Sequence, residues 1–140
     1  MGKDRAFHGA KLILIRDGRL LTCLRDDLPH IPFPAHWDLP GGGREGQETP
    51  VGCALRELHE EFGLSLPPDR LHGREFPAHA VPGMTSWLFL GTISQTEIAA
   101  IRFGDEGQEW QMMPIAEYLA HPRAVPHFPD RIRRMLAYIA

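Results

Sequence analysis

The sequence predicts an α/β (α+β) sandwich. Three observations carry that prediction. Short aliphatic segments of strand length recur along the chain, two further segments show helical periodicity, and turn-forming residues separate them. Gly (14) and Pro (13) make up about a fifth of the 140 residues, so loops between short elements are expected. The apolar share of 43% and charged share of 24% match an ordinary globular chain and exclude disorder. A length of 140 residues suits one domain, 1–140, because two halves would each sit near the lower limit for burying a core.

The elements follow in order. Ala10 to Arg16 (AKLILIR) reads as a buried strand, and Asp17-Gly18 is a hairpin signal that returns the chain as a second strand over Arg19 to Arg25. Asp26 to His36 holds three prolines and has no period. It is a surface loop, long enough to be a lid or a pocket wall as readily as a rigid connector. Trp37 to Leu39 is a short extended piece, and Gly41-Gly42-Gly43 reads as a loop. Thr49 to Phe62 is the clearest helix, with Thr49 as N-cap, Pro50 at the first turn and Gly63 at the C-terminal cap. Pro67 to Asp69 is a loop, and Leu71 to Phe76 and Met84 to Ser94 are strands. Gln95 to Ile101 reads as a short helix or a loop, and Phe103 to Glu109 as a loop. Trp110 to Met113 is a short strand and Pro114 to His121 a short helix. Pro129 to Ile139 is a C-terminal helix with Ile132, Met135, Leu136 and Ile139 on one face.

Charge and composition narrow the function. A net charge of −3 is the wrong sign for a protein that neutralises the phosphates of a nucleic acid polymer. No apolar run approaches the ~20 residues of a membrane helix, and no signal segment precedes the first strand, so the expected compartment is the cytoplasm. Cys23 and Cys53 lack C-x-x-C spacing and are expected to be free thiols.

The long helix carries two faces when its residues are set at 100° steps. Val51, Ala54, Leu55, Leu58 and Phe62 form an apolar arc that should dock on a sheet. Glu57, Glu60 and Glu61 form an acidic arc beside it. Like charges at this spacing repel. A solvated acidic face is one reading. The other is a cluster of hard carboxylate oxygens that suits Mg²⁺ or Mn²⁺. The glycine triplet just upstream and Arg56 within the acidic arc favour the second. A metal would also let an acidic protein accept a phosphate substrate.

Gly42, five residues, Glu48, seven residues, then Arg56-Glu57-Leu58-His59-Glu60-Glu61-Phe62-Gly63-Leu64 resembles the box of the Nudix hydrolases at every fixed position. The lead-in Trp37 to Gly42 (WDLPGG) is similar too. The resemblance implies a mixed sheet sandwiched between helices, with the box as a loop–helix–loop. It implies hydrolysis of a pyrophosphate linkage in a nucleoside diphosphate linked to a further group. It implies metal ligation by Glu57, Glu60 and Glu61 with a carbonyl of the glycine loop, taken as Gly42, and by Glu48 through water. It gives Arg56 the task of orienting box glutamates. The general base is left between a box glutamate (Glu57 or Glu60), Glu106 and Glu109; Glu106 resembles a later-loop glutamate of the bacterial oxidised-dGTP hydrolase.

Base recognition is expected outside the box, from a stacking aromatic and a few polar groups. Phe33, Trp37 and Trp87 are the candidates, with Phe89, Trp110 and His36 behind them, and Arg44 could meet a phosphate or face solvent. Cys53 is expected to be a packing residue and His59 to be exposed. The eight histidines show no zinc-ligand spacing. The expected partner is a small nucleotide, first a (d)NTP or oxidised dNTP cleaved to the monophosphate and pyrophosphate, with the chain a monomer or homodimer. ADP-ribose and dinucleoside polyphosphates are the alternative substrates. A silent nucleotide sensor or an isoprenoid-diphosphate isomerase are the alternative classes. The intact set of box glutamates speaks against the sensor, and the lack of a candidate acid and active-site cysteine speaks against the isomerase.

Overall fold

A computed structural model describes residues 6–79 and 81–139, the side chains of Tyr138 and Ile139 excepted. Seven strands form one mixed sheet: β1 (Phe7–Arg16), β2 (Arg19–Leu24), β3 (Trp37–Asp38), β4 (Gly41–Gly43), β5 (His72–Pro77), β6 (Thr85–Thr92) and β7 (Glu109–Pro114). Four helices accompany them: α1 (Pro50–Phe62), α2 (Gln95–Ala99), α3 (Ile115–Leu119) and α4 (Phe128–Ile139).

β1 organises the sheet. It runs parallel to β6 along one edge, from Phe7 opposite Thr85 to Ile15 opposite Thr92. On its other edge it meets β2 near Ile15 and β4 over Gly9 to Lys11, both antiparallel. β2 is likewise shared, with β7 along Arg19 to Leu24 and β3 at Cys23 and Leu24. β5 closes the far side against β6. Alternation along β1 then separates two cores. Leu12 and Leu14 pack with Cys53, Ala54, Leu58 and Phe62 of α1. Ile13 packs with Tyr118, Phe128, Ile132 and Met135 from the α3–α4 side. The sheet is thus covered on both faces, as expected for a sandwich.

α1 forms as its sequence dictates. The Thr49 hydroxyl accepts from Gly52 N–H, Pro50 occupies the first turn, and Gly63 ends the helix in the left-handed region at φ 69°. Cys53, Ala54, Leu58 and Phe62 are its buried residues, whereas Val51 and Leu55 of the expected apolar arc are half-buried. His59 is exposed.

Two readings need correction. The glycine triplet is a strand, not a loop, because β1 supplies the ladder that three glycines could not form from propensity alone. A Cβ at Gly41, whose φ is +132°, would sit 2.2 Å from the Ala10 carbonyl oxygen, so only glycine lets the strands approach this closely. Pro68–Arg70 is a 3-10 turn within the expected loop. The segment left open after Ser94 is a helix, set by a reciprocal capping box between Ser94 and Glu97. Ile139 was expected on the buried face of α4; its side chain lies outside the described ones.

Candidate active site

β4 and α1 face each other across the box, and the glycines make the contact possible. A Cβ on Gly42 would lie 2.6 Å from the Glu57 carboxyl carbon, so the carboxyl sits directly against the backbone. Gly41 N–H donates to Glu61 Oε1 at 3.0 Å. Cys53, fully buried beneath, points its thiol at the Gly42 carbonyl, 3.5 Å away. Burial pushes that thiol up to about 11, which keeps it protonated.

Arg56 is the hub of the acidic arc. Its Nε donates to Glu48 Oε2, its Nη1 to Glu57 Oε2 at 3.0 Å and to Glu60 Oε1 at 3.1 Å, and its Nη2 to the Gly43 carbonyl at 2.8 Å. Glu48 also accepts from Glu45 N–H at 2.8 Å. These bonds, Arg56 first, hold the Glu48 carboxyl below the usual range. Glu57 moves the other way: burial raises it despite Arg56. Glu61 is deeper still, and burial pushes it up to about 7.

Glu57, Glu61 and Glu106 line one cavity of about 340 Å³, together with Lys11, Arg25, Asp26, Asp38 and the three glycines. A second cavity of about 230 Å³ adjoins it, sharing Lys11, Arg25, Asp38, Gly42 and Gly43. Its walls are aromatic: Phe33, Trp87, Phe128 and the stacked rings of His79 and His127, whose centroids are 4.5 Å apart. Burial drives His127 down to about 4, so it is a neutral imidazole at pH 7.

Sequence reasoning missed Lys11, Arg25 and Asp38 at the junction of the two cavities. Asp38 is buried; its Oδ2 accepts from Lys11 Nζ at 3.1 Å and Arg25 Nη1 at 2.9 Å. Lys11 also donates to the carbonyls of Leu39 (3.2 Å) and Gly41 (3.1 Å). Burial opposes its charge, but Asp38 and Glu61 outweigh that and raise it, so it stays an ammonium. A signal was present: Lys11 is the one charged residue in the run Ala10 to Ile15. His79 and His127 were also missed, because 47 residues of intervening chain hide their contact.

The remaining candidates are dispersed. The Glu60 side chain is 54% exposed and pairs with Arg56, outside both cavities. Glu109 begins β7 opposite Leu24 and lines neither cavity, unlike Glu106. Trp37 lines neither. Its backbone carbonyl accepts from Tyr118 Oη and Val125 N–H, and its ring packs toward His121. Arg44 lines neither as well. It lays its guanidinium 4.3 Å over the Phe7 ring and donates to the Glu48 carbonyl. Phe89 is in the α1-side core, stacked on Trp87.

The NUDIX domain profile matches residues 7–135, nearly the whole of the described chain. The chain belongs to the Nudix family. It is therefore a hydrolase acting on pyrophosphate bonds. Over 134 residues it is 29% identical to an uncharacterised Nudix hydrolase of Pseudomonas aeruginosa, covering 94% of this chain and 77% of that one. Its fold resembles that of a MutT protein from Methanosarcina mazei Go1, with a TM-score of 0.73 at 19% identity and 95% of each chain covered. It also resembles a bifunctional NMN adenylyltransferase/ADP ribose pyrophosphatase from Francisella tularensis, solved with AMP and a Mn ion. There the TM-score is 0.70 at 19% identity, with 99% of this chain and 44% of that chain covered. Nudix hydrolases generally use divalent metals and act on small nucleotides.

The Nudix site can be tested against a metal on its own donors. Among the described residues, no group of three His, Cys, Asp or Glu side chains is poised to hold a metal as it stands. Arg56 pairs with Glu48, Glu57 and Glu60 in this arrangement. The donor chemistry nevertheless fits a hard cation. Glu57 and Glu61 offer carboxylate oxygens in the glycine-lined cavity, and burial disfavours both carboxylates in a way that a nearby positive charge would relieve.

Proposed function

We propose that this Nudix hydrolase cleaves a (d)NTP or an oxidised dNTP to the nucleoside monophosphate and pyrophosphate. The observation that carries the reading is the pair of adjoining cavities. One is walled by carboxylates and glycine backbone and suits a metal-bound polyphosphate. The other is walled by aromatic rings and suits a base.

In this reading Glu57, Glu60, Glu61 and the Gly42 carbonyl would hold Mg²⁺ or Mn²⁺, with Glu48 acting through water. Such a metal would supply charge neutralisation of the pyrophosphate and a more acidic bound water. Arg56, paired with Glu48, Glu57 and Glu60, would orient these box carboxylates. Glu106 takes the proton of the attacking water; its place on the cavity wall favours it over Glu109. Phe33 and Trp87 flank the base, and Arg25 faces the shared mouth where phosphates enter. Trp37 and Arg44 then act by supporting the β3 and glycine-strand backbone. The reading is of a single domain, monomeric or homodimeric, working in the cytoplasm on a small nucleotide and not on a nucleic acid polymer.

A hydrolysis screen tests it. The panel holds dNTPs, oxidised dGTP, ADP-ribose, NADH and dinucleoside polyphosphates, each with Mg²⁺ and with Mn²⁺, and the products are identified. Preferred cleavage of a triphosphate to monophosphate and pyrophosphate, lost in Glu60→Gln, is expected. Preferred cleavage of ADP-ribose would replace the substrate assignment. No turnover of any member would favour a binding role.

A further inference from the structure

We propose that Lys11 is a positioning residue for the metal-binding edge of this site, an inference that rests on the hydrolase reading above. Lys11 stands on β1 directly opposite Gly41 on β4. Its ammonium donates to three oxygens: Asp38 Oδ2, the Leu39 carbonyl and the Gly41 carbonyl, at 3.1, 3.2 and 3.1 Å. An ammonium has three N–H donors, and all three are used by the protein. Lys11 therefore has none left for substrate, although it lines both cavities.

What it does hold is the backbone of one residue, Gly41, at the peptide group that follows it. The Gly41 carbonyl is bound by Lys11, while the Gly41 N–H is bound by Glu61 Oε1 at 3.0 Å. Gly41 is thus tied at its carbonyl to a cation and at its N–H to a box carboxylate. Asp38 fixes the ammonium in turn, and is itself fixed by Arg25 and by Leu39 N–H at 2.7 Å. The chain of contacts runs Arg25–Asp38–Lys11–Gly41–Glu61. Glycine needs such a clamp more than other residues, because its backbone loses the most freedom on ordering. Loss of the ammonium removes one restraint on Gly41 beyond its pairing with β1, so the N–H that Glu61 accepts from is held less firmly and the carboxylate is less well placed for a cation.

The test compares the parent with Lys11→Met and Lys11→Arg. Mn²⁺ affinity is measured by electron paramagnetic resonance, and kcat and KM are measured on the best nucleotide of the screen. Lys11→Met is expected to weaken Mn²⁺ binding and lower kcat by roughly 10–100-fold each, as loss of groups behind metal ligands does. KM should stay within about threefold, because no substrate contact is removed. Lys11→Arg should restore part of both. A folded Lys11→Met with Mn²⁺ affinity and kcat close to the parent overturns the inference, and so does a loss confined to KM. If Lys11→Met has no cooperative melt, the double variant Lys11→Met/Asp38→Asn, which removes the same donor without leaving Asp38 as a buried carboxylate short of one cation, takes its place under the same criteria. A parent that hydrolyses nucleotide normally while Lys11→Met does too leaves the hydrolase reading intact; a parent that binds no Mn²⁺ and turns over no nucleotide removes both.

Discussion

Gly42 shows how one missing side chain sets a site. The three atoms nearest its would-be Cβ all belong to the Glu57 carboxyl, the far end of a flexible side chain, so Gly42→Ala need not strain the backbone. The carboxyl must move instead. Gly42→Ala is expected to leave the melting temperature little changed and to lower kcat about 10–100-fold, which thermal melts and steady-state kinetics would check together. His127 offers a prediction of a different kind. Its imidazole is held near 4 in the fold, below the ~6.5 of an unfolded chain. On acidification the unfolded chain takes up the proton first, so this group's contribution to stability is lost as pH falls from about 6.5 to about 4. Melting temperature measured across that window should fall less steeply in His127→Phe than in the parent.

At the scale of elements, the loop 26–36 behaves as a braced wall. Phe33 and Ala35 have positive φ (49° and 55°), which non-glycine residues adopt only when surroundings enforce it. Arg123 supplies that enforcement, donating from Nε to the Ala35 carbonyl at 2.9 Å and from Nη2 to that of Pro34 at 3.4 Å. Arg25 Nε holds Pro32 from the other side. Arg123→Ala is expected to raise KM several-fold with kcat nearly unchanged, since Phe33 lines the aromatic cavity and Arg123 touches neither cavity; initial-rate kinetics over substrate concentration decide it.

The same loop marks what the sequence could and could not reveal. α1 was legible because its cap, its apolar arc and its glutamates lie within one stretch and obey one period. β4 was not, since three glycines have no strand propensity of their own and pair only because β1 lies alongside. The acidic half of the site was legible for the same reason as α1. The Lys11–Asp38 contact spans 27 residues, and the histidine stack joins two loops, so neither leaves a local pattern.

For the whole molecule, the sheet divides the core into two halves that share every central strand. Leu58 lies on the α1 face and Ile132 on the α4 face, both fully buried. Leu58→Ala and Ile132→Ala should each cost about 2–5 kcal/mol. Their effects should add, because the sheet separates them. Both should lower one and the same transition. Far-UV circular dichroism and tryptophan fluorescence melting at different temperatures in either variant would show that the two faces unfold independently.

The parallel pairing of β1 with β6 has a consequence for how the chain is born. Ile15 must wait for Thr92 before its neighbour exists. At ~5–20 residues per second of synthesis, that delay is about 4–15 s. Throughout it Leu12, Ile13 and Leu14 lack their β6 neighbours and the α4 face, and only β2, β4 and α1 can cover part of them. Pairings this distant in sequence also fold slowly once the chain is free. The nascent chain therefore carries its most aliphatic segment exposed for seconds. Aggregation during synthesis, and dependence on a holding chaperone, should concentrate on that one strand.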